Sequence, residues 1–114
     1  MKSAANPPGA TIQAVSASQG DNGRFLVSGA LVFDTVPELM KQAQRLFATV
    51  DAVVVDFSGV QHCNSSGLAV ILEMARLMRR QNKTICFQSL PQQIHTFARA
   101  YSVDEELAQA GLLC

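Results

Sequence analysis

At 114 residues, the chain is long enough to bury one hydrophobic core and too short for two. Its composition, 48% hydrophobic and 16% charged residues, is typical of a globular domain. Nine basic residues balance nine acidic residues, so the chain lacks the basic excess on which nucleic-acid recognition depends. We therefore expect a protein partner and no nucleic acid, since a neutral chain repels other proteins weakly.

The N-terminal residues and the cysteines bear on the compartment. Residues 1–10 carry one lysine and Pro7-Pro8-Gly9 without an apolar segment, which predicts a disordered lead and no secretory signal. The three cysteines, Cys63, Cys86 and Cys114, are an odd number at spacings of no metal or redox motif. This pattern favours a reducing compartment, with Cys63 and Cys86 as small core residues. We expect a cytoplasmic protein.

The first half of the chain predicts a hairpin and a helix. Weak alternation over residues 11–17 and the turn residues 20–23 predict an edge strand that pairs with a second strand at Phe25-Leu26-Val27. Thr35 and Glu38 have capping-box spacing, and Pro37 suits a first helical turn. Apolar residues at helical spacing continue this first helix to Val50.

The second half alternates strands and helices. The β-branched run 52–55 predicts a strand inside a sheet, buried on both faces. After a short turn, capping residues at 64–67 and periodic apolar positions predict a helix over 66–81. Residues 84–87 should form a strand parallel to the strand over 52–55, because strand–helix–strand units make right-handed parallel crossovers.

Ser89 and Gln92 repeat the capping-box spacing before a third helix, whose buried face should carry Ile94, Phe97, Ala98 and Tyr101. A short last helix should span Asp104 to Ala110.

Several of these segments resemble a known family. Asp56-Phe57-Ser58-Gly59-Val60 followed by Asn64-Ser65-Ser66-Gly67-Leu68 is similar to the D-[ST]-[STAG]-G-L signature of the STAS family, the sulfate-transporter and anti-sigma-factor-antagonist domains. Residues 29–31 and 34–39 resemble the family segment G-E-L-D-x-x-T-A-x-E-L, and residues 96–101 resemble the small STAS subunit of bacterial Mla phospholipid-transport ABC systems. The resemblance implies a single α/β STAS domain over residues 11–114, with a mixed sheet of four to five strands and helices mainly on one face.

The resemblance makes Ser65 a candidate phosphorylation site, since STAS antagonists are phosphorylated by a partner kinase on the hydroxyl residue at that place. Position and residue type alone favour a simple helix cap. A phosphoryl group would be tolerated there, because a helix N-terminus favours negative charge. Asn64 stands where the family carries Asp, and Ala30 and Val32 replace its acidic residues. These departures favour constitutive docking over a kinase switch.

The helix over 66–81 is apolar around more of its circumference than one buried stripe requires. Leu68, Ile71, Ala75 and Met78 should form its core face, which leaves Ala69, Leu72 and Leu77 on the flanks. These flanking residues are either scattered surface hydrophobes or a docking patch edged by Glu73 and Arg76. The docking interpretation predicts a partner-binding set of Asn64, Ser65, Ser66, Gly67, Ala69, Leu72 and Arg76.

Catalysis is not expected. Asp56, His62, Cys63 and Ser65 lie close in sequence, but 64–67 is not a G-x-S-x-G elbow, no phosphate loop is present, and His62 and His95 share no ligand motif. We expect no cofactor and no metal. The resemblance implies a cytoplasmic subunit that binds the ATPase of an Mla-type phospholipid-transporting ABC complex, which maintains outer-membrane lipid asymmetry, and that meets the membrane only through this complex. The alternative is an anti-sigma-factor antagonist that binds a serine kinase and is regulated at Ser65; a small hydrolase using Ser65 is a third hypothesis.

Overall fold

A computed structural model describes residues 9–15 and 22–114. The chain forms an α/β fold, a four-stranded mixed sheet with four helices among these residues. The elements are β1 Thr11–Ala14, β2 Asn22–Leu31, α1 Val36–Phe47, β3 Ala52–Cys63, α2 Ser66–Arg80, β4 Thr84–Gln88, α3 Gln92–Ala100 and α4 Asp104–Gln109. The predicted disordered lead lies outside the described residues except for Gly9 and Ala10, of which Ala10 is buried. The predicted turn at 20–23 also lies outside them in part, and Asn22 and Gly23 belong to β2.

The sheet order is β1-β2-β3-β4, with β1 antiparallel to β2 and the other pairs parallel. This confirms the predicted hairpin pairing and the parallel crossover through α2. Both crossovers step in the same direction across the sheet, so right-handed connections place α1 and α2 on the same face. The core lies between that face and the helices, where Phe25 meets Phe47 and Phe57 meets Phe87 in edge-to-face contacts.

The prediction that the central strand is buried on both faces is wrong. Along β3, Val53, Val55 and Phe57 are buried, whereas the residues that alternate with them, Ala52, Val54 and Asp56, are only half-buried. Alternate side chains of a strand point to opposite faces, so the second set lies on the face without helices. The strand is central in the sheet but covered on one side.

Strands β2 and β3 are longer than the apolar runs that predicted them. A short turn was predicted between the strand over 52–55 and the next helix, but Asp56 to Val60 lie within β3 and pair with β2 through two register shifts. A Cβ atom on Gly59 would lie 2.8 Å from the Val27 carbonyl oxygen and still closer to the Ser28 side chain, so only glycine fits at this irregular pairing.

Both predicted capping boxes are wrong, although the helices start near the expected places. The Thr35 hydroxyl donates to the Ala30 carbonyl oxygen at 2.6 Å and accepts the Val32 N–H at 3.1 Å, so it holds the preceding turn instead of capping α1. Pro37 does lie in the first turn of α1. Ser89 has φ 58° and α3 begins after Pro91, without a side-chain cap. Tyr101, expected on the buried face of α3, is 61% exposed.

The cysteines differ from expectation. Cys63 is buried and free, as predicted, but Cys86 is half-buried and forms a disulfide with Cys114. The sequence alone gave no reason to pair cysteines 28 residues apart. No helix within residues 9–15 and 22–114 has the length and apolarity needed to cross a bilayer.

Candidate functional site

The start of α2 lies at the edge of the sheet where the parallel strands end. Leu31 and Cys63 are paired at the ends of β2 and β3, and the Asn64 N–H donates to the Leu31 carbonyl oxygen at 3.1 Å. The β2–α1 turn and the β3–α2 connection therefore lie side by side. This is the position at which open α/β sheets present their functional loops.

Asn64 caps α2. Its side-chain oxygen accepts the Ser66 N–H at 2.8 Å, and its backbone oxygen accepts the Gly67 N–H at 3.0 Å. Ser65 occupies the N-cap position itself but makes no side-chain cap hydrogen bond. The interpretation of Ser65 as a simple cap is therefore wrong, because the Asn64 side chain makes the capping hydrogen bond.

Ser65 lies at the N-terminus of the helix that follows β3, and its side chain is exposed, both as predicted. Among the residues of α2's first turn none is acidic, so the positive end of the helix dipole is uncompensated by a carboxylate of its own turn. An exposed hydroxyl in this setting can donate to a partner or accept a phosphoryl group.

Ser66 and Gly67 are less exposed than Ser65. Ser66 is half-buried, and Gly67 is buried against the side chains of Cys63, Ile94 and Leu31. Because a Cβ on Gly67 would overlap the Cys63 sulfur, this glycine lets α2 approach the end of β3. Burial raises the pKa of the Cys63 thiol, whose S–H donates to the Asn64 carbonyl oxygen at 3.2 Å. Gly67 thus has a packing role, and Cys63 is no exposed nucleophile.

The remaining predicted partner-binding residues lie along the outer side of α2. Ala69 and Arg76 are exposed, and Leu72 is half-buried against the core. The Arg76 guanidinium donates to Glu73 at 3.0 Å, and Arg80 approaches the other oxygen of the same carboxylate at 3.7 Å. Leu72 therefore has two roles: part of its side chain packs against the core, and the rest is accessible at the surface.

Phe33, which the sequence did not single out, is 81% exposed in the turn between β2 and α1. The turn is fixed by the Thr35 N–H, which donates to the Val32 carbonyl oxygen at 3.0 Å, and by the Thr35 hydroxyl. Exposed Asp34 follows in the same turn, and exposed Glu38 lies in the first turn of α1. The predicted second strand covered only residues 25–27, so Phe33 lay outside every predicted element and its exposure was not predicted.

The residues that a hydrolase would need are not together. Asp56 lies on the face of the sheet without helices, seven residue steps before Cys63 at the end of β3, a path of roughly 20 Å. Its pKa is lowered chiefly by the Ser58 backbone N–H, which donates to it at 2.8 Å, with smaller contributions from the Ser58, Gln88 and Ser89 side chains. His62 is exposed while Cys63 is buried. Among the described residues no cluster of three His, Cys, Asp or Glu side chains is placed to hold a metal.

A family model described as "Mlab, STAS domain" matches residues 15–113. No curated protein sequence matches the chain.

Solved structures resemble the fold at low sequence identity. The anti-sigma factor antagonist SpoIIAA in its unphosphorylated form is similar with a TM-score of 0.63 and 11% identity, over 83% of this chain and 84% of that one. A STAS domain from Rhodobacter sphaeroides, described as an antisigma-factor antagonist, gives 0.53 and 23% identity over 68% and 84% of the two chains. The murine anion transporter Slc26a9 gives 0.68 and 11% identity over 92% of this chain, which spans only 20% of the transporter.

Proposed function

The chain belongs to the STAS domain family, and from this we propose that it is a non-catalytic subunit that docks on the ATPase of a phospholipid-transporting ABC complex of the Mla type. In this role it works at the cytoplasmic face of the inner membrane, where the complex holds it, and supports the transport that keeps the outer membrane asymmetric. The description of the matching family model supports this choice of system. The docking surface consists of Phe33 together with Asn64, Ser65, Ser66, Ala69, Leu72 and Arg76.

One observation carries the proposal: Asn64 caps α2, and the Ser65 hydroxyl is left exposed at the helix start. Because the Asn64 side chain already caps the helix, the Ser65 hydroxyl is not used for capping. The adjacent turn presents Phe33, and aromatic residues held in a fixed position are frequent anchors of protein interfaces. A hydroxyl and an exposed aromatic side chain on adjoining connections suit contact with a protein better than chemistry on a small substrate.

Two of the residues considered for catalysis are placed away from the exposed Ser65 hydroxyl or out of reach of solvent. Asp56 and the start of α2 are separated along β3, and the Cys63 thiol is buried. In the proposed role, ATP hydrolysis belongs to the partner, and this subunit stabilises or stimulates it.

The second candidate is an anti-sigma-factor antagonist that binds a serine kinase and is released when Ser65 is phosphorylated. The exposure of Ser65 favours this candidate as well, because a kinase must reach the hydroxyl. The fold shared with an unphosphorylated antagonist supports it only at the level of architecture.

The two candidates are separated by a reconstitution with defined partners. The tagged chain is co-expressed with the ATPase and permease of an Mla-type transporter from the same genome, and separately with a serine kinase encoded beside a sigma factor. Docking on the ATPase is supported if the chain co-elutes stoichiometrically with it and raises its ATP turnover. Co-elution with the kinase, together with phosphorylation that Ser65→Ala abolishes, would replace the first proposal by the second.

A further inference from the structure

Residues Leu112–Cys114, here called the latch, lie along the outer edge of β4. The Phe87 N–H donates to the Leu112 carbonyl oxygen at 2.7 Å, and the Cys114 N–H donates to the Phe87 carbonyl oxygen at 3.0 Å. Phe87 and Leu113 thereby form an isolated parallel bridge. The latch occupies the edge that the last strand of the sheet would otherwise present to solvent.

The latch is anchored at its first residue, because the Leu112 side chain packs in the core and its N–H donates to the Leu107 carbonyl oxygen at 3.2 Å. Leu112 is buried, but Leu113 and Cys114 are exposed. Backbone hydrogen bonds at an exposed edge compete with water and contribute little net stability. Gly111, which joins α4 to the latch, has φ +74° and no atom within 4 Å of the place of a Cβ, so no side-chain packing fixes the latch from that direction. The Cys86–Cys114 disulfide is the strongest link between the latch and the sheet.

We propose that the redox state of Cys86 and Cys114 decides whether the latch covers the β4 edge. With the disulfide formed, the latch stays paired with Phe87. With both cysteines reduced, residues 112–114 detach while the sheet and α2 keep their structure, and the backbone groups of the β4 edge become exposed to solvent. This inference does not rest on the proposed function, because the latch shares no residue with the docking surface.

The chemistry is thiol–disulfide exchange with a small-molecule disulfide of the glutathione class. The exposed Cys114 thiol loses its proton to solvent, and its thiolate attacks one sulfur of oxidised glutathione, so one glutathione leaves as a thiolate that takes up a proton. The Cys86 thiolate, formed in the same way, then attacks the Cys114 sulfur of this mixed disulfide, which forms the protein disulfide and releases the second glutathione thiolate to be protonated. Two protein thiols are oxidised and one glutathione disulfide is reduced. A reducing compartment drives the reaction backwards and opens the latch.

The test follows both thiols and backbone protection. Full-length protein is equilibrated with oxidised or reduced glutathione and then alkylated under denaturing conditions. We expect one reactive thiol, that of Cys63, after oxidation and three after reduction. Hydrogen exchange measured by NMR should be at least about tenfold faster at Phe87 and Cys114 in the reduced protein, with Val55 in β3 unchanged.

Three variants keep the test interpretable. Cys114→Ser changes an exposed residue, so it should fold and should exchange rapidly at Phe87 under both conditions; Cys86→Ser should behave likewise. Cys63→Ser removes the buried thiol and should respond to glutathione as the wild type does. Three reactive thiols after oxidation, or equal exchange at Phe87 in the two states, would overturn the proposal. So would faster exchange at Val55 on reduction, because the disulfide would then hold the whole fold and not a local latch.

Discussion

At the level of single residues, the start of α2 divides two tasks between neighbours. Asn64 satisfies a backbone N–H of the first turn, which a helix end requires. Ser65 is thereby free for contact with another molecule. A serine at this place in a sequence predicts a cap because hydroxyl caps are common, and only the position of the Asn64 oxygen removes that interpretation. The same oxygen makes a charge at Ser65 tolerable, since it keeps the helix start intact.

Ser65→Glu should separate folding from docking. A carboxylate at a helix N-terminus interacts favourably with the dipole, so the free energy of unfolding should change by less than about 1 kcal/mol. Against the ATPase, the carboxylate would be desolvated without a partner, and binding should weaken by about 2 kcal/mol or more, roughly 30-fold in Kd. The measurements are thermal melting and a binding titration. Gln44→Glu, which adds the same charge on the exposed side of α1, is the control and should bind normally. Undiminished binding by folded Ser65→Glu would place the interface elsewhere.

Phe33→Ala tests the other half of the docking surface. The ring is exposed, so its loss should leave the melting temperature nearly unchanged. If the ring is an interface anchor, binding should fall by about 2 kcal/mol or more. Tyr101→Ala is the matched control, because Tyr101 is also an exposed aromatic residue but follows the C-terminus of α3, at the opposite end of that helix from the site. Equal effects of the two substitutions would show that Phe33 is not a specific anchor.

At the level of elements, Gly67 and Asn64 position the start of α2 against the end of β3. Gly67 allows close approach to Cys63, and Asn64 closes the backbone of the first turn. These two contacts fix where Ser65 points relative to the sheet. The docking surface is therefore only as rigid as this junction.

Asn64→Ala should destabilise the protein by about 1 kcal/mol, because the Ser66 N–H loses its partner at the helix start. Asn64→Asp should keep the stability of the wild type, since a carboxylate oxygen accepts the same hydrogen bond and its charge suits the dipole. Urea unfolding of the three proteins gives the comparison. If Asn64→Ala were as stable as the wild type, the cap described here would contribute nothing and Ser65 would regain the role of structural cap.

The elements differ in how far they could be predicted from sequence. The spacing of Leu68, Ile71, Ala75 and Met78 predicted α2 well, because helical hydrogen bonds and side-chain periodicity are local. The bounds of β2 and β3 were missed, because residues 56–63 become strand only by pairing with a distant segment. The predicted Thr35 cap was wrong for a related reason: its hydroxyl hydrogen-bonds to backbone carbonyl oxygens that precede it in the chain, and not to the helix. Within the candidate site, Ser65 was predicted from a local motif, whereas the exposure of Phe33 depends on the turn that the whole sheet edge positions.

At the level of the whole molecule, the helices cover one face of a four-stranded sheet and leave the other without a helical layer. The alternation of burial along β3 is the direct sign of this arrangement. A sheet of this kind needs apolar side chains at every second position only. In the Val53-Val54-Val55 run, Val53 and Val55 therefore face the helices and Val54 faces the other side of the sheet, a difference that three identical residues do not reveal in the sequence.

Val54 and Val55 are neighbours of the same type, so a pair of identical substitutions tests this architecture. Val55→Glu places an unpaired carboxylate in the buried layer beneath the helices and should cost more than about 4 kcal/mol, which leaves little or no folded protein. Val54→Glu puts the same group on the half-buried face, beside Arg24 in the adjoining strand, where water and the guanidinium can solvate it. It should fold, with a loss of about 1 kcal/mol. Circular dichroism melting distinguishes the outcomes. Equal destruction of the fold by both substitutions would mean that the second face is covered as well, and the one-sided architecture would be wrong.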